Sequence, residues 1–227
     1  MDSRAVKDLL YEQVAHIGRA LASPKRLELI ELLCQGDKTV EALAQELQID
    51  IKLASAHLKA LRQARLVEVR ADGKYRVYAL AGNDISHLWV MLREVAQAHL
   101  SELQNTVAHL VAQPDKLSPV DGEALLRMAR DGDVVVIDVR PSKEFDSAHV
   151  PFARSVPMEL LEQRLQDLPK NKMVVAYCRG PFCLLSDQAV DVLRDAGLQA
   201  YKMLDGVSEW QAMGLPVVVA DHPSAAA

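Results

Sequence analysis

The stretch that decides the fold of the chain's second half is Val174-Val175-Ala176-Tyr177-Cys178-Arg179-Gly180-Pro181-Phe182-Cys183. Its apolar start is typical of a buried strand, Gly180-Pro181 favours a tight turn, and residues 184–196 have the apolar spacing of an amphipathic helix. Cys178 therefore lies between a strand end and a helix start. There the helix dipole and the charge of Arg179 would lower the pKa of the thiol and make it reactive. The alternative is a buried cysteine with a purely structural role.

Short strands and helices alternate through residues 120–220. Strands are predicted at 134–139, 173–177 and 200–204, and helices at 122–130, 158–168, 184–196 and 208–213. This pattern predicts an α/β domain with a mostly parallel sheet. Ligands of such sheets bind beyond the carboxyl ends of the strands, where Cys178 lies.

Three further motifs resemble the signatures of a single rhodanese domain: Ile137-Asp138-Val139-Arg140-Pro141, Ala148-His149-Val150-Pro151 and Asp205-Gly206-Val207-Ser208-Glu209-Trp210. The resemblance implies sulfane-sulfur transfer through a persulfide on Cys178, with thiosulfate or polysulfide as the donor. Arg179 is then the second predicted catalytic residue, and the loop forms a cradle for the persulfide. The residues assigned to that cradle are Gly180, Pro181, Phe182 and Leu184.

Two positions of the loop, Cys183 and Leu184, each allow more than one functional interpretation. Cys183 is a candidate resolving thiol that would convert a persulfide into a disulfide, or it is a small residue packed beneath the loop. Leu184 stands where phosphatases of related architecture carry an arginine that grips phosphate. Because that arginine is missing, the short loop favours sulfur transfer over phosphate-ester hydrolysis.

The first half of the chain predicts a mainly α domain with a β-hairpin, the pattern of a winged helix-turn-helix. Helices are expected at 4–22, 24–35, 40–47 and 52–64, a hairpin at 66–80 and a long helix at 84–112. The hairpin turns at Asp72-Gly73, between alternating apolar residues. The fourth helix would bury Ala54, Leu58 and Leu61 and present its other face to a ligand.

Residues 51–76 are strongly basic, with seven Lys and Arg against two acidic residues, whereas the whole chain carries a net charge of −5. Such a contrast indicates a contact with a polyanion, although a solvated helix face is the plainer interpretation. The predicted DNA-binding residues are Lys52, Ser55, Ala56, His57, Lys59 and Arg62 on the fourth helix and Arg70, Lys74 and Arg76 on the wing.

Two motifs of this half resemble the ArsR/SmtB family of bacterial repressors: Leu21-Ala22-Ser23-Pro24-Lys25-Arg26-Leu27 and Ala54-Ser55-Ala56-His57-Leu58-Lys59-Ala60-Leu61-Arg62-Gln63-Ala64-Arg65-Leu66-Val67. The resemblance implies a homodimer bound to a palindromic, double-stranded operator.

Many members of that family sense metals through their last helix. His99 and Glu102 fit half of the zinc-type pattern, but Ser86 and Leu88 occupy the other two ligand positions. No metal site is therefore predicted, although His87, His99 and His109 leave another geometry open.

A chain of 227 residues is long enough for two domains. We predict a DNA-binding and dimerisation domain at 1–112, a linker at 113–119, a rhodanese-like domain at 120–220 and a flexible tail at 221–227. No apolar run reaches the roughly 20 residues of a membrane span, and the N-terminus lacks a signal-peptide pattern. A cytoplasmic protein without cofactor or membrane partner is expected. Three cysteines do not suggest a disulfide scaffold.

The sequence thus predicts a transcriptional regulator, with repression as the expected mode, that responds to reactive sulfur through Cys178. One alternative is a sulfurtransferase whose N-terminal domain mainly dimerises. The other is a metal-responsive repressor with an inactive rhodanese-like domain.

Overall fold

The computed structural model describes residues 2–110 and 114–219, so the predicted tail at 221–227 lies outside the described residues. The chain divides into two compact units, residues 1–89 and 90–227. The predicted domain boundary at 112 stays a prediction. No helix among the described residues is both long enough and apolar enough to cross a membrane.

The first unit is a winged helix-turn-helix, as predicted. Its elements are α1 (Ser3–Leu21), α2 (Pro24–Cys34), β1 (Lys38–Thr39), α3 (Val40–Glu46), α4 (Ile51–Gln63), β2 (Val67–Asp72), β3 (Tyr75–Leu80) and the start of α5 (Asn83–His99). Strands β2 and β3 form the antiparallel wing, and β1 pairs with β3. The wing turns at Gly73, whose φ of +57° is the left-handed conformation that glycine adopts without strain.

Side-chain caps and apolar spacing fix the two helices of the helix-turn-helix. The Thr39 hydroxyl accepts a hydrogen bond from Ala42 N–H at the start of α3, and the Asp50 carboxylate accepts one from Lys52 N–H at the start of α4. Helix α4 buries Ala54, Leu58 and Leu61 completely. Its opposite face is therefore left for solvent or a ligand.

The predicted long helix at 84–112 is wrong in one respect, because the structure interrupts it at Leu100. A separate helix, α6, runs over Ser101–Leu110. The side-chain amide of Gln104 donates to the Ala98 carbonyl at 3.0 Å, taking the acceptor that residue 102 would use in an unbroken helix.

The second unit continues α5 and adds an α/β sandwich. After α6 and a 3₁₀ turn (Pro114–Lys116), its elements are α7 (Gly122–Asp131), β4 (Val134–Asp138), α8 (Ser142–Ser147), β5 (Ala148–His149), β6 (Arg154–Ser155), α9 (Leu161–Arg164), β7 (Met173–Tyr177), α10 (Leu185–Asp195), β8 (Ala200–Lys202), α11 (Val207–Ala212) and β9 (Val218–Val219). The parallel sheet has the order β6-β4-β7-β8, and β5 pairs antiparallel with β9. The mostly parallel sheet is confirmed.

Apolar residues cover both faces of that sheet. Alternate residues of β4 and β7 point to opposite sides, so Ile137 and Val174 pack with α9 and α10 while Val136 and Val175 pack with α7 and α11. This two-sided burial explains the continuous apolar runs in the sequence. It fixes the carboxyl end of β7, where the candidate site begins.

The helix predicted at 158–168 is a chain of short turns: a 3₁₀ turn at Met158–Leu160, α9, and a 3₁₀ turn at Leu165–Asp167. Pro169 explains the end of the segment, because a residue before proline avoids the helical region. Leu168 accordingly has φ −96° and ψ 133°.

Candidate functional site

Cys178 is the first residue after β7, at the carboxyl end of the parallel sheet. Its side chain is 2% exposed and packs within the apolar cluster that contains α9 and α10. The loop then turns where Cys183 N–H donates to the Gly180 carbonyl at 3.0 Å. The structure thus places Cys178 between a strand and a helix, as the sequence indicates.

Hydrogen-bond donors surround the sulfur of Cys178. It lies 3.3 Å from Ser186 Oγ, in the first turn of α10, and 3.3 Å from the carbonyl oxygen of Cys183, to which the neutral thiol donates. The ionised sulfur instead accepts hydrogen bonds from the Cys183 thiol, the Ser186 hydroxyl and the backbone N–H groups of Ser186 and Gly180. These donors outweigh burial and lower the pKa of Cys178 to about 6. The thiol is therefore mostly ionised at neutral pH.

Cys183 is half-buried and forms no disulfide with Cys178. The hydrogen bond to Cys178, burial and the nearby thiolate charge together raise the pKa of Cys183 above its ordinary value. Cys183 therefore stays protonated while Cys178 is ionised. Of the two thiols, Cys178 is the one prepared to act first as a nucleophile.

Arg179 is held by an acidic residue from another part of the unit. Its Nε and Nη2 donate to the two carboxylate oxygens of Glu144 at 3.0 and 2.5 Å, and Glu144 is buried. Such a bidentate pair fixes a guanidinium in one orientation. The expectation that Arg179 lowers the pKa of Cys178 by its charge needs correction, because hydrogen bonds from Cys183, Ser186 and Gly180 are the main causes.

Two glycines allow a close approach of backbone to the loop. Gly180 has φ +139°, and a Cβ there would lie 2.9 Å from Glu209 Oε2. A Cβ on Gly206 would lie 2.6 Å from the carbonyl group of Arg179 and 2.8 Å from the carbonyl oxygen of Cys178. The start of α11 therefore rests directly on the backbone of the loop.

The other predicted cradle residues differ in their exposure. Pro181 and Phe182 are half-buried, whereas Leu184, which precedes α10, is 45% exposed. Among the side chains that contact the sulfur, Ser186 was absent from the sequence-based set. Its position in the first turn of the predicted helix was the signal that could have identified it.

Replacing Ser186 with alanine is expected to raise the pH midpoint of Cys178 alkylation by about one unit, since one pKa unit corresponds to about 1.4 kcal/mol, the order of a hydrogen bond to a charged group. The wild-type rate should rise through pH of about 6 and then level off, because the thiolate is the reactive form. The rate of Cys178 alkylation by iodoacetamide, measured as a function of pH, gives the midpoint for the wild type and for the alanine variant. An unchanged midpoint in the alanine variant would show that the hydroxyl does not stabilise the thiolate.

Every basic residue assigned to DNA binding is exposed in the first unit: Lys52, Lys59, Arg62, Arg70, Lys74 and Arg76. Ala56 is exposed as well, and Ser55 and His57 are half-buried. Helix α4 also exposes Ile51 and Leu53, which the sequence-based set omitted and which could contact thymine methyl groups. Arg70 Nη2 lies 3.3 Å from the Asp37 carboxylate, so this charge is partly balanced within the unit.

Two known families match the chain. The family described as "Rhodanese-like domain" matches residues 121–213, and "Bacterial regulatory protein, arsR family" matches residues 23–69. The chain is also 38% identical over 211 residues to the HTH-type transcriptional regulator Rv0324 of Mycobacterium tuberculosis, with 93% of this chain and 92% of that protein covered. The chain belongs to the arsR family of bacterial regulatory proteins. It is an ArsR-family transcriptional regulator with a C-terminal rhodanese-like domain.

Partial similarities concern one half of this ArsR-family chain at a time. A sulfurtransferase of Allochromatium vinosum is 33% identical over 104 residues, which cover 45% of this chain and 95% of that protein. A solution structure of the homodimeric winged helix-turn-helix DNA-binding domain Mb0332 of Mycobacterium bovis is 39% identical, with a TM-score of 0.41. It covers 45% of this chain and 92% of that chain.

Proposed function

We propose that this ArsR-family regulator binds operator DNA with an affinity that depends on sulfur carried by Cys178. The observation that supports the proposal is a thiol with a pKa of about 6 inside a ring of hydrogen-bond donors, in the same chain as an exposed basic helix and wing. A thiolate in such surroundings is a nucleophile at neutral pH. The same donors would stabilise the negative charge of a persulfide.

The loading step transfers one sulfur atom without any external oxidant. The Cys178 thiolate attacks the outer sulfur of thiosulfate, a bond forms between the two sulfurs, and sulfite leaves with the electron pair of the broken S–S bond. With a polysulfide donor, the leaving group is the shortened polysulfide anion. The loop and its donors remain chemically unchanged.

Cys183 offers a second step. The Cys183 sulfur can attack the inner sulfur of the Cys178 persulfide anion, forming a Cys178–Cys183 disulfide, while the proton of the Cys183 thiol passes to the departing sulfur, which leaves as hydrosulfide. The hydrogen bond from the Cys178 sulfur to the Cys183 carbonyl oxygen, at 3.3 Å, supports this assignment, since it holds the two cysteines next to each other. Loading followed by resolution would change the chemical state of the loop for longer than a persulfide alone.

The DNA-bound form is proposed to be a homodimer on a palindromic double-stranded operator. Helix α1 supports this, because its large apolar side chains are more than half exposed: Leu9, Leu10, Tyr11 and Val14. A second copy of the chain would remove this surface from water. We assign contacts with base edges to the half-buried His57 and Ser55 on α4, and contacts with phosphates to the basic residues.

The test is operator binding with and without polysulfide. DNA from upstream of the protein's own gene is titrated with reduced protein, with polysulfide-treated protein and with the Cys178→Ser variant treated in the same way. We expect the treated wild type to differ from the reduced protein and the variant to show no change. A variant that responds like the wild type would exclude Cys178 as the sensor.

A sulfurtransferase whose first domain mainly dimerises is the second candidate. The lowered pKa of Cys178 favours it, because a reactive thiol serves transfer to an acceptor as well as sensing. Gel-shift experiments discriminate the two, since an enzyme of this kind binds no upstream DNA in either the reduced or the loaded state.

A further inference from the structure

A buried ion pair joins the second half of α5 to the start of α11, within the second unit. Arg93 Nη1 lies 2.8 Å from Glu209 Oε1, and the two side chains are only 3% and 5% exposed. Arg93 lies outside both family matches, residues 23–69 and 121–213.

The Glu209 carboxylate is in direct contact with the loop that carries Cys178. Its Oε2 accepts a hydrogen bond from Gly206 N–H at 2.7 Å, and a Cβ placed on Gly180 would come within 2.9 Å of the same oxygen. On the other side of the pair, the guanidinium carbon of Arg93 lies 5.7 Å from the centre of the Phe182 ring. Arg93 and Glu209 thus contact the loop at two of its residues.

We propose that Arg93 is a positioning residue that couples the sulfur load of the Cys178 loop to helix α5. The proposal rests on the sulfur-responsive function proposed above. It identifies the residue whose position changes when Cys178 carries sulfur. Helix α5 begins at Asn83, in the first unit, and continues through Arg93, in the second. A change in the position of Arg93 therefore acts on a helix that belongs to both units.

Steric and electrostatic effects make the pair sensitive to the load. Cys178 is 2% exposed, so an added sulfur atom has little free space and must displace the loop. The loop backbone at Cys178 and Arg179 rests on Gly206, and Gly180 rests on Glu209, so displacement is passed to the carboxylate. The persulfide keeps the single negative charge of the thiolate but carries it on the added outer sulfur, about 2 Å farther from the Cys178 side chain, and this shift changes the interaction of that charge with Arg93 and Glu209.

One hydrogen-bond donor of Arg93 is unsatisfied. Among the described residues its buried Nε has no hydrogen-bond partner. An unsatisfied buried donor favours any rearrangement that gives it an acceptor. A loaded state that offers this Nε an acceptor would therefore be favoured over the reduced state, which is the difference in interaction that coupling requires.

The experiment uses the full chain and three variants. Arg93→Met with Glu209→Gln removes both charges at once, so that neither is left buried without its partner. Arg93→Lys keeps the positive charge. Arg127→Met, which removes an exposed arginine of α7 that lies 3.8 Å from Glu123, is the matched control. Each protein is measured reduced and after polysulfide treatment, and intact mass confirms that Cys178 has become a persulfide or, after resolution, a disulfide with Cys183.

Fluorescence anisotropy with an operator duplex gives the Kd in each state. For the wild type and Arg127→Met we expect loading to change the Kd about tenfold, an ordinary coupling between two sites. The double variant should still load on prolonged exposure to polysulfide, but its two Kd values should agree within about twofold. Arg93→Lys, which keeps the positive charge, should show most of the wild-type change in Kd. A residue with a merely structural role would not require this recovery.

A double variant that loads and keeps the wild-type change would overturn the coupling role of Arg93. A double variant that cannot load Cys178 overturns it as well, because the pair would then serve the loop's own chemistry. If the double variant does not fold, Arg93→Gln with Glu209→Gln decides by the same comparison, since this pair is also uncharged and the amide oxygen of residue 209 can still accept from Gly206 N–H. An unchanged Kd in the loaded wild type would instead refute the sulfur-responsive function itself.

Discussion

Replacing Cys178 with serine is expected to lower the rate of the proposed sulfur transfer from thiosulfate by about 10³-fold or more, because a serine hydroxyl stays neutral where the thiol is ionised. The donors around the sulfur lower the pKa of Cys178 to about 6, but they cannot ionise an alcohol at neutral pH. Serine is close in size to cysteine, so the buried loop should keep its packing. Sulfite release from thiosulfate and the intact mass of the treated protein measure the loss.

Cys183→Ser and Cys34→Ser are the matched controls for that substitution. Cys34→Ser should load sulfur at the wild-type rate, since Cys34 lies on α2 in the first unit. Cys183→Ser should accumulate a persulfide on Cys178, one sulfur atom heavier, whereas we expect the wild type to proceed to a disulfide. A Cys178→Ser protein that still releases sulfite at a comparable rate would place the nucleophile elsewhere.

Operator affinity is expected to fall about 10³-fold when salt rises from about 50 to 200 mM, because a dimer that neutralises about six phosphates releases a matching number of counterions. Six exposed basic residues on α4 and the wing supply the charge: Lys52, Lys59, Arg62, Arg70, Lys74 and Arg76. A dimer presents each of them twice, so six phosphate contacts need only half of these groups. Anisotropy titrations at several salt concentrations give the slope.

Arg62→Gln tests whether the slope comes from this surface. In a dimer the substitution should reduce the magnitude of the slope by about two, one for each lost phosphate contact. Arg164→Gln is the control, because this arginine is also exposed but lies on α9 of the second unit. Equal slopes for the wild type and Arg62→Gln would mean that α4 does not carry the phosphate contacts.

Local patterns in the sequence were enough to predict both domains. The apolar spacing of Ala54, Leu58 and Leu61 identified α4, and the continuous run from 173 to 177 identified a strand buried on both faces. The order of strand, cysteine and helix also placed Cys178 correctly. These features depend on residues that lie a few positions apart in the sequence. The spacing of apolar residues is therefore enough to predict them.

Contacts between distant parts of the chain could not be predicted in the same way. Arg179 was expected to act on the thiol, but it binds Glu144, which lies 35 residues earlier. Arg93 and Glu209 are 116 residues apart, and nothing in the spacing of either indicates the other. The break at Leu100 likewise depends on the Gln104 side chain, whose hydrogen bond competes with the helix backbone. Such pairs are fixed by the tertiary fold.

The most direct measurement of the central claim is the operator Kd of one preparation in three successive states: reduced, loaded with polysulfide, and reduced again. Intact mass at each stage distinguishes the reduced protein, the persulfide and the disulfide. We predict a change of about tenfold on loading that reverses fully on reduction. A Kd that stays the same while the mass shows complete loading would contradict a regulator controlled by sulfur on Cys178.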